Sequence, residues 1–141
     1  MTSAKPIAAS DTVMQIVNSS FQTTDRAGNV LDGASLSGFV DSFEFADLGS
    51  PQWFDPHVIY DSLHGRWLME MNGLTCGTTA DYDFGRGFLF FATSDTSDPT
   101  GFWTGSYFQF FDALVDFPAP GTSTDKIAFA SNIFSMDVAG S

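Results

Sequence analysis

The chain has 141 residues, one domain's worth, with 5 Lys and Arg against 17 Asp and Glu for a net charge of −12. That sign excludes a nucleic-acid backbone or an anionic membrane surface as partner, because both need a basic patch. The longest apolar run, Phe88 to Ala92, falls far short of the about 20 residues of a membrane-spanning helix.

Residues 1–11 read as a disordered N-terminal segment with no apolar stretch of signal-peptide length. Thr12 to Val17 is rich in strand formers, Asn18-Ser19-Ser20 signals a turn, and Phe21 to Asp25 is a second strand. Asp25 to Asn29 is a tight turn with Gly28 suited to a positive φ, and Val30-Leu31 begins a third strand. Residues 12–32 are therefore predicted to form an antiparallel meander. Between 34 and 54, Leu36, Phe39, Val40, Phe43 and Phe45 fit a short helix or a loop wrapped on the core.

A second meander follows. Val58 to Tyr60 and Arg66 to Met71 are strands around the turn Asp61 to Gly65. Residues 72–86 read as a long Gly/Thr/Asp loop. Gly87 to Ser94 is a continuous apolar strand, expected to be buried on both faces. Asp95 to Gly101 is a turn cluster, and Phe102 to Phe110 is the partner strand. Pro118 to Gly121 punctuates the chain, and 126–136 read as a final hairpin around Asn132. About nine short strands without a long helix mean an antiparallel all-β protein: a sandwich, a barrel or a propeller.

The single cysteine, Cys76, cannot form an intrachain disulfide, and with His57 and His64 it does not complete a zinc site. Asp81 and Asp83 alternate ahead of Gly85, the spacing a hard cation such as Ca²⁺ uses, but no third acid or closing Glu follows. No other cofactor is expected. Trp53 and Tyr82 lie in predicted loops and are the candidate ligand-binding aromatics, whereas Trp67 and Trp103 lie in strands and are expected in the core. No nucleophile elbow, zinc-protease, phosphate-loop or dinucleotide signature is present.

Three groups of segments carry a resemblance. Asp55-Pro56-His57-Val58-Ile59-Tyr60-Asp61 with Gly65-Arg66-Trp67, and Ala92-Thr93-Ser94-Asp95 with Asp98-Pro99-Thr100-Gly101-Phe102-Trp103, resemble the two strand pairs of one β-propeller blade. Upstream, Val13 to Phe21 with Asp25 to Asn29 resembles the preceding blade. Downstream, Asp116-Phe117-Pro118 with Ile127 to Phe134 resembles the start of the next. The likeness is to large, secreted, uncharacterised bacterial propellers, and it covers roughly residues 12–136.

The resemblance implies a first blade portion over 12–54, a second blade over 55–112, the start of a third over 113–136, and a tail over 137–141. Two blades and a start do not close a propeller, so the chain is expected to be a segment of a longer protein or a self-associating piece. The implied function is a non-catalytic extracellular or cell-surface module that binds protein or glycan, or acts as a scaffold. The alternative is part of a glycoside hydrolase or sialidase-like enzyme. In that case Asp55 is the candidate general base, with Glu44 and Glu70 the only glutamates available as its acid. Otherwise Asp55 caps a turn and Pro56 fixes the start of the strand. Thr96 to Trp103 is similar to a sialidase Asp-box with its Gly displaced, a device that stabilises a hairpin rather than an active site.

Overall fold

A computed structural model describes residues 5–9, by backbone alone, and residues 11–136. In chain order the elements are β1 (Lys5–Ala9), β2 (Thr12–Val17), β3 (Ser20–Asp25), β4 (Val30–Ser35), α1 (Leu36–Asp41), β5 (Gln52–Asp61), β6 (Arg66–Cys76), β7 (Gly85–Ser94), β8 (Trp103–Phe111), β9 (Ala113–Thr122) and β10 (Ile127–Ser135). The strands build three antiparallel sheets: β1-β2-β3-β4, β5-β6-β7-β8 and β9-β10. The fold is all-β, and no closed barrel forms.

Short-range chemistry sets the meanders. Gly28 at φ 89° turns the chain, and one Asp25 carboxylate oxygen accepts from the amides of Ala27 (2.9 Å) and Asn29 (2.8 Å). Between β7 and β8, Asp98 accepts from the amide of Thr100 at 2.9 Å and its hydroxyl at 2.8 Å. The Trp103 indole donates to the Pro99 carbonyl at 2.9 Å and closes the same turn.

One face of the second sheet packs against the first. Trp67, Met69, Met71, Phe88, Phe90 and Ala92 join Met14, Ile16 and Phe21, with Leu36, Phe39 and Val40 of α1 wedged beside them. The helix exists because the Ser35 hydroxyl accepts from the Gly38 amide at 3.0 Å, and its buried residues are spaced for one face. The Phe39 ring meets Phe21, Phe43, Phe90 and Trp103 edge-on at 5.2–6.1 Å, the geometry that aromatic quadrupoles favour. Arg86 donates to the carbonyls of Asp47 and Leu48 at 3.0 Å and so ties the segment after α1 to β7.

The opposite face of the second sheet carries Leu68, Glu70, Asn72, Leu89 and Phe91, because side chains alternate along a strand. This face packs against the third sheet, where Ala113 and Val115 are buried and Phe129 lies 4.5 Å from Phe91. Asp112 alone links the two sheets. It adopts φ 49°, and one of its carboxylate oxygens accepts from the amides of Asp83, Phe84 and Gly85 at 2.8, 2.6 and 3.3 Å.

Four sequence expectations are corrected. Residues 5–9 form β1 against β2 instead of lying outside the fold, while 1–4, 10 and the tail 137–141 lie outside the described residues. The loop expected over 72–86 is shorter, because β6 runs to Cys76 with β5 beside Leu74 and β7 beside its whole second half. Residues 127–135 are one strand, not a hairpin around Asn132, since β9 supplies partners from Ala113 to Thr122. Pro118 and Pro120 do not stop β9, and Pro56 does not delay β5. Among the described residues each of these strands has a neighbour on one side only, and on the other side a missing N–H is tolerated.

Trp53 lies opposite Gly73 across the β5–β6 pair, and its ring covers that glycine. A Cβ at position 73 would sit 2.5 Å from the indole. Gly73→Ala is therefore expected to destabilise the fold by about 1–3 kcal/mol, the range for overpacking, as measured by urea denaturation.

Candidate functional site

The candidate base Asp55 sits in a bulge. The β5–β6 register passes from Phe54 opposite Asn72 to His57 opposite Glu70, leaving Asp55, at φ 45°, and Pro56 unpaired. The third sheet repeats the device. Its register passes from Asp116 opposite Asn132 to Ala119 opposite Ala130, and skips Phe117, at φ 56°, and Pro118. Both bulges place a positive-φ residue before a proline on a strand with a single neighbour.

The first bulge aims Asp55 at the junction of all three sheets. Its carboxyl is within hydrogen-bonding reach of Asp116 of the third sheet and of Asn18, which directly follows β2 of the first. Burial raises the Asp55 pKa most, and the Asp116 carboxyl raises it further; Asn18 and the nearby His57 pull the other way.

Glu70 lies in the next position of the same seam, fully buried between His57 and Phe91 as cross-strand neighbours. Neither of its carboxyl oxygens has a hydrogen-bond partner, nor has either amide atom of the fully buried Asn72. Burial pushes the Glu70 pKa up to about 8, so this side chain is mostly neutral at pH 7. A neutral carboxylic acid and an amide thus face the third sheet from the middle of an otherwise apolar layer.

A second polar cluster lies at the β5–β6 and β9–β10 turns. His64 Nδ1 meets the Asp61 carboxylate at 2.5 Å, and Nε2 meets the Thr124 carbonyl at 3.1 Å. Both partners are acceptors, so this arrangement favours the imidazolium, and the hydrogen bond that the ring donates to Asp61 raises the His64 pKa. Burial alone would push the Asp61 carboxyl up, but its bonds from the His64 ring and from the amides of His64 and Leu63 leave it lowered. The pair borders a cleft of about 420 Å³ that also touches Arg66, Leu68 and Lys126.

The other sequence candidates lie apart from these clusters. Trp53 is in β5, not a loop, is 5% exposed, and packs on Phe88 and Phe90, so it presents no binding platform. Tyr82 stacks on Phe111 and lies 5.3 Å from the Arg86 guanidinium. Asp81 and Asp83 are exposed, and among the described residues no group of three His, Cys, Asp or Glu is arranged to hold a metal ion. Cys76 is exposed at the end of β6, and Glu44 is exposed after α1. Sequence reasoning missed Asn18, Asn72 and Asp116. The available signal was an Asn on or just after the second strand of each sheet, paired with two X-Pro bulges.

No protein family, no curated protein and no solved structure matches this chain.

Two pH effects follow. The unfolded Glu70 ionises near 4.5 and the folded one near 8, so its contribution to stability is intact below 4.5 and is lost as pH rises toward 8. The loss is at most ~1.4 kcal/mol per pH unit, and Glu70→Gln is expected to flatten that slope in urea melts from pH 4.5 to 8. The His64 pKa is raised above 6.5, so its tie to Thr124 is present below that pH and weakens as pH rises through the folded value. His64→Ala is expected to lower the melting temperature at pH 6 and to matter less at pH 9, as read by calorimetry.

Proposed function

We propose that the protein is a non-catalytic binding or scaffold module of the extracellular β-propeller type, resembling part of a secreted bacterial protein. The single observation that carries this reading is that Asp55, the one carboxylate placed as a catalytic base would be, is engaged as an inter-sheet fastener with Asp116 and Asn18. Glycosidase carboxyls stand about 5–5.5 Å apart in retaining enzymes and about 6.5–9.5 Å in inverting ones, which leaves room for sugar or water. Two carboxyls in hydrogen-bonding contact leave no such room. Glu70, sealed under the third sheet, has no route to a substrate.

The propeller part of the proposal is supported by two four-stranded meanders followed by a third sheet that begins with the same bulge. The binding part is supported by exposed apolar side chains, among them Phe102 at 85% and Phe117 at 71%. Exposed apolar patches mark protein contacts more than glycan contacts, which need polar groups matched to hydroxyls.

The test is Asp55→Asn. The raised Asp55 pKa means that its ionisation costs stability, and that cost is absent below the unfolded value of 3.8. The variant is expected to melt higher than the parent at pH 7 and equally near pH 3. Both proteins should leave aryl glycosides unhydrolysed. Turnover by the parent that Asp55→Asn abolishes would show that Asp55 is a base and overturn the reading.

A further inference from the structure

β4 is the outer strand of the first sheet and, among the described residues, pairs with β3 alone. It is exposed along nearly its whole length, with Val30 61% and Leu31 50% exposed. Successive side chains point to opposite faces, so both faces of the strand are open as well as its edge. The edge lies within the chain, because β4 runs straight into α1. Lys5 pairs with Ile16, Ile16 with Phe21 and Phe21 with Ala34, which puts the start of β1 three strands away. Met136 sits beside Gly85, at the opposite end of β7 from the turn that leads to Trp103.

Alongside this edge runs a groove of about 400 Å³ between β4, α1 and the 95–102 turn. Phe21, Phe39, Phe43 and Trp103 line it, and Phe102 stands at its side, 85% exposed. Asp32 of β4 supplies its carboxylate, one oxygen of which accepts from the Gly33 amide at 2.8 Å. Ala34 is the direct partner of Phe21, and Asp32 is two residues from Ala34, so all three share one face of the sheet.

We propose that this edge and groove bind an extended, basic segment of another protein. The segment adds a fifth strand beside β4, seats an aromatic or aliphatic side chain in the groove and sets a Lys or Arg beside Asp32. Ladder bonds to the β4 backbone supply affinity, and the alternate side chains supply specificity. Asp32 and Ala34 are two residues apart on one face, so the cation and the apolar anchor of the partner are two residues apart as well.

Charge selects this occupant. The segments 20–45 and 95–102 carry Asp25, Asp32, Asp41, Glu44, Asp95 and Asp98 against the single cation Arg26. A second copy would bring the same acids to the same edge, and like charges facing across strands destabilise a pair. The inference rests on the reading of the chain as a binding module, and the two fail separately. Hydrolysis lost in Asp55→Asn overturns that reading alone, and an unresponsive β4 edge overturns this inference alone.

The test is a titration of the full chain, followed by backbone amide NMR shifts, with capped seven-residue peptides up to about 2 mM, which detects millimolar dissociation constants. The first peptide has Lys-Thr-Phe at its centre between threonines. The second has Glu in place of Lys, and the third has Lys and Phe adjacent, on opposite faces of a strand. The first is expected to shift amides of β4, α1 and 101–103, and the other two to bind several-fold more weakly. Asp32→Asn should weaken the first peptide about threefold, the scale of one cross-strand charge pair. Phe102→Ser should weaken it too, with circular dichroism unchanged for both variants. Asp81→Asn, exposed in the loop at the far end of β7, should leave it unchanged. Asp32→Lys should reverse the preference and take the Glu peptide over the Lys one. Absence of shifts at 2 mM overturns the proposal. So do shifts scattered over the acidic surface, equal effects of Asp32→Asn and Asp81→Asn, and β4 shifts that grow with protein concentration without peptide, which would place a second copy on the edge instead.

Discussion

One chain of polar contacts, Asn18 to Asp55 to Asp116, touches all three sheets. Apolar burial is non-directional, so it presses the sheets together without fixing how one slides on the next. A polar contact is directional and has few acceptable positions. The bulge at Asp55 and Pro56 makes that contact possible, because it interrupts the strict alternation of faces that a regular strand would keep. A positive φ at Asp55 costs little, since Asp tolerates the left-handed region. Phe117 occupies the same position in the third sheet with a bulky side chain, 71% exposed, and is the more strained of the two.

The middle strands of the second sheet need cover on both faces. β6 and β7 are buried along almost their whole length, with the first sheet and α1 on one side and the third sheet on the other. The two faces are not alike. The first is a continuous aromatic and methionine layer around Phe39. The second contains Glu70 and Asn72 with no hydrogen-bond partners, and each such group weakens the layer relative to an apolar residue of the same size. The polar face is thus the softer of the two, and it is the face that holds the two-stranded sheet.

Much of this architecture is legible in the sequence because it is local. The Asp25–Asn29 turn, the Asp98–Trp103 turn and the apolar run of β7 each announce themselves within ten residues of chain. What is not legible depends on neighbours far away. Proline reads as a boundary, yet Pro56, Pro118 and Pro120 lie inside strands, because those strands have one free side that the sequence does not reveal. Trp53 reads as a loop residue beside Asp-Pro, yet it is core, because Gly73 leaves a space the size of an indole on the adjacent strand. Glu70 could point either way by alternation alone. Its direction follows from the register that sets it opposite His57 and Phe91. Asn18, Asp55 and Asp116 are brought together only by the stacking of three sheets.

The link at Asp112 has a consequence for how this chain can vary. A one-residue connection has no slack. Its carboxylate is already committed to three amides of the 83–85 segment, its own amide donates to Gly85 at 2.8 Å, and its carbonyl accepts from Met136 at 2.8 Å. Inserting or deleting even one residue there would shift Phe129 of the third sheet away from Phe91 of the second. Length changes are absorbed instead at turns such as 95–102, which hold their own ends together. The chain is therefore elastic in its hairpins and inextensible at its sheet junction.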